Sequence, residues 1–166
     1  SPMAGLYSVT MANQTVIADS EMIIIRAATA QSSRASILRI YRLACGQSGT
    51  ATSQQLAVRW GLKASAFGTY TSTTPAPLVV GAVASAITGS TSNAASSCGT
   101  DSSANGGGTL TVMDQRGFNN LNGFEIIFTP EERPIVSIDL SFCFQLQGTP
   151  TTLTNWNATL YFEEVT

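Results

Sequence analysis

Acid–base chemistry in this chain would fall to two pairs of neighbouring carboxylates, Glu131-Glu132 and Glu163-Glu164. Hydrolysis of a glycoside needs two carboxyl groups roughly 5 to 10 Å apart across a cleft. Neighbours on a strand point to opposite faces, so either pair supplies at most one member to a shared site, and solvated strand ends account for both more simply. Glu164 falls on the apolar side of its strand's alternation, which places it past the edge of the core. The chain has no histidine. That removes the Ser-His-Asp and Cys-His nucleophile pairs, the imidazole ligands of most catalytic zinc sites and the commonest general base near neutral pH.

Two loop motifs start well and stop short. Asp101-Ser-Ser-Ala-Asn105-Gly106 opens like a calcium loop, but Val112 stands at the twelfth position, where a bidentate Glu is needed. Gly106-Gly107-Gly108 could turn backbone N–H groups toward a phosphate, yet no Lys-Ser/Thr follows and a strand comes next instead of a helix. No catalytic, cofactor-binding or metal-ligating residue is therefore expected. Trp60, Trp156, Tyr7, Tyr70 and Tyr161 would suit a sugar-stacking surface, although Trp60 and Trp156 share the buried parity of their strands. Cys45 ends a strand and Cys98 lies in a polar stretch, so a bridge between them would pin that stretch to the core if their Cα atoms come within about 7 Å. Cys143 makes the count odd, which favours free thiols. Asn13-Gln-Thr15 and Asn157-Ala-Thr159 match the glycosylation triplet by pattern only.

Positioning any of these groups falls to β-strands. From Ser137 to Gln147, Ile138, Leu140, Phe142, Phe144 and Leu146 share one face, which predicts a strand with one buried side. Trp156, Ala158, Leu160 and Phe162 repeat the pattern at the C-terminus. Shorter alternations, Tyr7/Val9/Met11, Leu56/Val58/Trp60, Leu110/Val112 and Phe124/Ile126/Phe128, predict four more strands. Met22 to Ala30 and Ser36 to Ala44 are apolar on both faces and read as central strands, with Gln31 to Arg34 as a hairpin-like connection. About eight strands with polar turns and no long amphipathic helix predict an antiparallel sandwich or barrel. Residues 64–109 interrupt the pattern as a long, nearly neutral loop excursion, rich in Ser, Thr and Gly.

The 166 residues fit a single domain. Only 11% are charged, against about 25% in an ordinary domain, so hydroxyls and amides must make up the surface. A net charge of −2, with Lys63 as the one lysine, provides no basic field for phosphates, and nucleic acid is not an expected partner. The longest nearly apolar run, Leu78 to Ile87, is half the roughly twenty residues a membrane helix needs, so no membrane partner is expected. Ser1-Pro2 before Met3 reads as a cloning remnant.

A run of segments adds a resemblance. Met3 to Thr10, Glu21 to Arg26, Gln55 to Arg59, Thr74 to Leu78, Gly123-Phe followed by Thr129-Pro-Glu-Glu-Arg-Pro134, and Leu160-Tyr-Phe-Glu-Glu164 together resemble a family of small virion proteins from tailed phages. The resemblance spans nearly the whole chain, and the extended loop around Cys98 departs from it. It implies a jelly-roll-like sandwich similar to capsid decoration or cement proteins. Such a protein is non-enzymatic, sits on the capsid exterior of the virion, and binds the major capsid protein as a homo-oligomer, with a trimer favoured. Leu6 and Tyr7, and secondarily Arg133 and Pro134, are the expected protein contacts. The alternatives are a carbohydrate-binding sandwich and a small self-assembling coat or filament protein; lack of a basic arm argues against a genome-packaging coat.

Overall fold

The computed structural model describes residues 5–50 and 52–165. The expected cloning remnant and natural start, Ser1 to Met3, lie outside the described residues. The chain runs through β1 (Leu6–Gln14), β2 (Glu21–Arg26), β3 (Leu38–Gln47), β4 (Gln55–Lys63), β5 (Thr69–Ser72), β6 (Ala76–Pro77), β7 (Thr88–Gly89), β8 (Ser97–Ala104), β9 (Leu110–Asn119), β10 (Phe124–Ile127), β11 (Ile135–Val136), β12 (Ser141–Gln147) and β13 (Trp156–Glu164).

Eight of these strands build the framework, and they pair from the outside inward. β1 pairs β13, β2 pairs β12, β3 pairs β10 and β4 pairs β9, each antiparallel. Folding that long hairpin over itself gives one sheet ordered β10-β3-β13-β1 and a second ordered β2-β12-β4-β9. This is the wrapping of a jelly roll, the expected fold class. Between the sheets lie the residues of the predicted parity. Trp60 meets Phe128 edge-on at 5.8 Å and Phe144 at 6.4 Å, Phe118 meets Trp156 at 6.3 Å, and Tyr7 meets Phe162 at 5.5 Å.

The excursion is where the structure departs most from the sequence reading. Residues 64–109 are not one long loop: they carry β5 to β8. β8 extends the second sheet beyond β2, β5 pairs β8, β7 runs parallel to β8, and β6 extends the first sheet beyond β1. The insertion between the fourth and fifth framework strands thus crosses the molecule and closes the edge formed by β1 and β2. β8, Ser97-Cys-Gly-Thr-Asp-Ser-Ser-Ala104, has almost no apolar alternation because small residues are what fit there. A Cβ on Gly99 would lie 2.6 Å from Tyr70 Cβ.

Two further strands differ from expectation. β12 begins only at Ser141, after a turn at residues 138–139, and both of its faces are buried instead of one. Its second face, with Cys143, packs beside Ile24 and Tyr70, with Phe67 and Leu110 against them. β3, expected to be apolar on both faces, alternates, with Arg39, Tyr41 and Arg42 half-buried.

Candidate functional site: a buried ion pair and two apolar edges

The outer face of the second sheet holds a cluster that no spacing or motif in the sequence anticipates. Lys63 is the neighbour of Ser141 on β12, and Glu21 that of Gln145. The side chains of Lys63 and Glu21 are 1% and 3% exposed, with Nζ 2.6 Å from Oε2. Lys63 Nζ also donates to the Asn105 carbonyl at 2.5 Å, and the Tyr70 hydroxyl donates to Glu21 Oε1 at 2.5 Å. Burial, followed by that hydrogen bond, pushes the Tyr70 hydroxyl far above its ordinary value. A polar cavity of about 340 Å³ adjoins the pair, lined by Arg59, Gln145, Gly106, Gly108 and Thr109 among others. Amine, carboxylate and phenol are the ingredients of proton transfer, but here each is occupied by another. The cluster ties β2, β4 and β5 to the chain after β8.

The other conspicuous feature is apolar surface at the two lateral edges. Beyond β6, Leu78, Val80 and Val83 are exposed, Val80 at 98%. On the opposite side, a groove of about 200 Å³ opens between β9 and β10, with Trp60, Met113, Ile126, Phe128 and Pro134 among its lining. Val112, Ile127 and Ile135 are exposed on the same side, Ile127 at 68%.

The expected contact residues fare differently. Tyr7 is fully buried, its hydroxyl donating to the Val83 carbonyl at 3.0 Å, because β1 runs between β13 and β6 and its parity points Tyr7 inward. Pro134 is buried and its carbonyl accepts from Ile40 N at 2.9 Å; Arg133 lies over the Tyr41 ring at 4.0 Å. Tyr7 is therefore closed off from the surface, whereas Pro134, itself buried, still lines the groove between β9 and β10. Leu6 is half-buried, and its carbonyl accepts from Leu78 N at 3.0 Å, which places it at the root of the exposed apolar segment. The Cys45–Cys98 bridge is not formed. All three cysteines are free and buried, with Cys45 on β3 of one sheet and Cys98 on β8 of the other.

The carboxylates do not converge. Glu131 and Glu132 are exposed, whereas Glu163 accepts from Arg39 at 3.2 Å and from the Tyr41 hydroxyl at 3.1 Å. Glu164 is buried instead of lying past the core, because the insertion folds over it: Ser85 Oγ and Ala86 N donate to Oε1 at 2.5 and 2.8 Å. The calcium-like motif fails on geometry as well. Asp101 to Ala104 belong to β8, and Asn105 Oδ1 accepts from Ser102 Oγ at 2.7 Å. Gly108 N donates to the Ala66 carbonyl at 3.0 Å, so it is not held out for a phosphate. The sugar-stacking platform loses its aromatics. Trp60, Trp156, Tyr7 and Tyr70 are buried, and Tyr161 lies beneath the Arg42 guanidinium at 5.0 Å.

Fold and surface together define a jelly-roll β-sandwich with one fully buried ion pair and with apolar side chains exposed at its edges. Comparison with protein-family models, curated proteins and solved structures gives no match.

Proposed function

We propose that this chain is a non-enzymatic structural protein of a tailed-phage virion, a decoration or cement protein that binds the exterior of the assembled capsid as a homo-oligomer. One observation carries the reading: Lys63, Glu21, Tyr70, Glu163 and Glu164 are taken up in contacts within the chain, while exposed Val80, Val112, Met113, Ile127 and Ile135 line the edges of the sandwich. Apolar groups clustered at a surface suit contact between proteins. The resemblance of the chain to small virion proteins supplies the partner, the major capsid protein. Low charge fits the same role, since a surface of hydroxyls and amides makes wet contacts on a repeated lattice. A symmetric oligomer raises avidity because each attached protomer holds the others near their sites.

Gradient sedimentation with expanded, emptied phage heads tests this. Co-migration of the chain, saturating at a fixed ratio to the capsid protein, is the expected result. A chain that stays at the top of the gradient with every head preparation, and that remains monomeric in light scattering at high concentration, would overturn the proposal.

A further inference from the structure

All but one of the ion pairs among the described residues are made by arginine, and each of those has a partner open to solvent. A guanidinium keeps its proton and does not act as a nucleophile. Lys63–Glu21 differs on both counts. It is made by an amine, which burial can strip of its proton, held 2.6 Å from the carboxylate with the two side chains 1% and 3% exposed. Ile24, Tyr70 and Cys143, with Phe67 and Leu110, cluster on the same face of the sheet, so apolar side chains flank the pair.

The hydrogen bonds around the pair fit its condensation product better than the pair itself. An ammonium has three protons to donate, and Lys63 Nζ has two acceptors among the described residues, Glu21 Oε2 and the Asn105 carbonyl at 2.5 Å. A secondary amide has one donor and one acceptor. With Nζ joined to Glu21 Cδ, the remaining N–H would keep the Asn105 carbonyl. Oε1, then the amide oxygen, would keep the Tyr70 hydroxyl that donates to it at 2.5 Å. The gap to be closed is short, because Nζ stands no more than one C–O bond further from Cδ than from Oε2.

We propose that Lys63 and Glu21 condense in the folded chain, forming an amide between Nζ and Cδ that staples β4 to β2 across β12. A proton passes from Nζ to Oε2 along their hydrogen bond, leaving a neutral amine and a carboxylic acid. The Nζ lone pair attacks Cδ, the carbonyl electrons move onto Oε1, and the Tyr70 hydroxyl stabilises the charge that gathers there. A second proton moves from Nζ to Oε2, the Cδ–Oε2 bond breaks, and Oε2 leaves as water into the polar cavity beside the pair. Nothing is oxidised or reduced. Tyr70 must stay a phenol to play this part, and burial holds it as one. In water, solvation of the two ions opposes condensation; burial removes that solvation and makes the ions costly to keep. Holding amine and carboxyl against each other supplies an effective concentration on the order of 10⁵ M or more. Chains that have not yet closed hold the ion pair described above. The inference stands on this buried cluster alone, whatever the chain binds.

Intact mass spectrometry of the purified chain, repeated while the folded protein is incubated at neutral pH, tests it. The expected chain is lighter than its sequence by one water, and proteolysis yields the peptides that contain Glu21 and Lys63 as one branched product. Lys63→Arg keeps a cation at the pair but offers no amine, and should hold its full sequence mass while folding by circular dichroism. Tyr70→Phe removes the donor to Oε1 and should slow closure about a hundredfold while reaching the same branched product. A wild-type chain that keeps its full mass after weeks in the folded state overturns the proposal. So does a loss of one water that persists in Lys63→Arg or maps to other peptides.

Discussion

Lys63 is the residue on which the outer face of the second sheet depends. Breaking a buried ion pair leaves an uncompensated charge at a cost of about 3–5 kcal/mol. Lys63→Met should lower the stability measured by urea denaturation by that order. Adding Glu21→Leu should recover part of the loss, because the two residues share one interaction and their effects cannot add. The thiols make a second test: burial pushes Cys45, Cys98 and Cys143 all upward, so at pH 8 a thiol reagent should find none of them in the folded chain and all three in denaturant. Asp101 works against the fold. Burial raises its carboxyl above the ordinary value, and its Oδ1 has no hydrogen-bond partner. Between the ordinary carboxylate value and that raised one, the folded state holds a proton that the unfolded chain has released, so the group costs the fold nothing at acid pH and destabilises it once pH rises past that window. Asp101→Asn should raise the urea midpoint at pH 7, with the gain closing as the pH falls toward about 4. Asn also tolerates the left-handed backbone at this position, where φ is 52°.

At the scale of elements, β4 and β9 show how closely two strands can depend on one missing side chain. Trp60 pairs Asp114 and Gly61 pairs Val112, so Met113 is the extra residue of a bulge. A Cβ on Gly61 would lie 1.9 Å from the Thr111 carbonyl oxygen. Gly61→Ala must push β9 away, at a cost of about 1–3 kcal/mol for overpacking, and should lower the thermal midpoint and widen the groove beside Met113. The same strands mark the limit of sequence reading. β1, β4 and β13 were legible because one face meets the core and the other meets solvent or polar neighbours, so apolar and polar residues alternate. β8 was not, because its neighbours on both sides are strands and its side chains are small. Lys63 was illegible as a buried cation for a related reason: its position on β4 is a solvent-facing one until Phe67, Tyr70 and the chain around Asn105 fold over it, and nothing near Lys63 in sequence announces that cover.

For the whole molecule, the pairing of the first strand with the last has a direct consequence. β13 lies between β3 and β1 in the middle of the first sheet, so deleting residues 156–166 should abolish cooperative unfolding altogether instead of lowering its midpoint. A fold that waits for such distant partners closes long loops before non-local contacts form, and should refold in milliseconds to seconds or slower, measured by stopped-flow fluorescence of Trp60 and Trp156. The jelly roll was legible as a sandwich of about eight strands because periodicity reports on strands one at a time. The two apolar edges were not, since an edge exists only once strand order is known: Ile127 lies on the parity opposite Phe124, Ile126 and Phe128, and nothing in the sequence around it marks the side of the sandwich that it flanks.

The burial of Lys63 also sets how this protein looks to a chemist. As the chain's one lysine, at 1% exposure, it leaves the folded surface without a single side-chain amine among the described residues. Succinimidyl dyes and amine-bridging cross-linkers, the usual means of mapping neighbours in a large particle, would pass over its lysine. Contacts with any partner would register through carboxylates, arginines or installed cysteines, and a proximity map drawn from lysines alone would miss them.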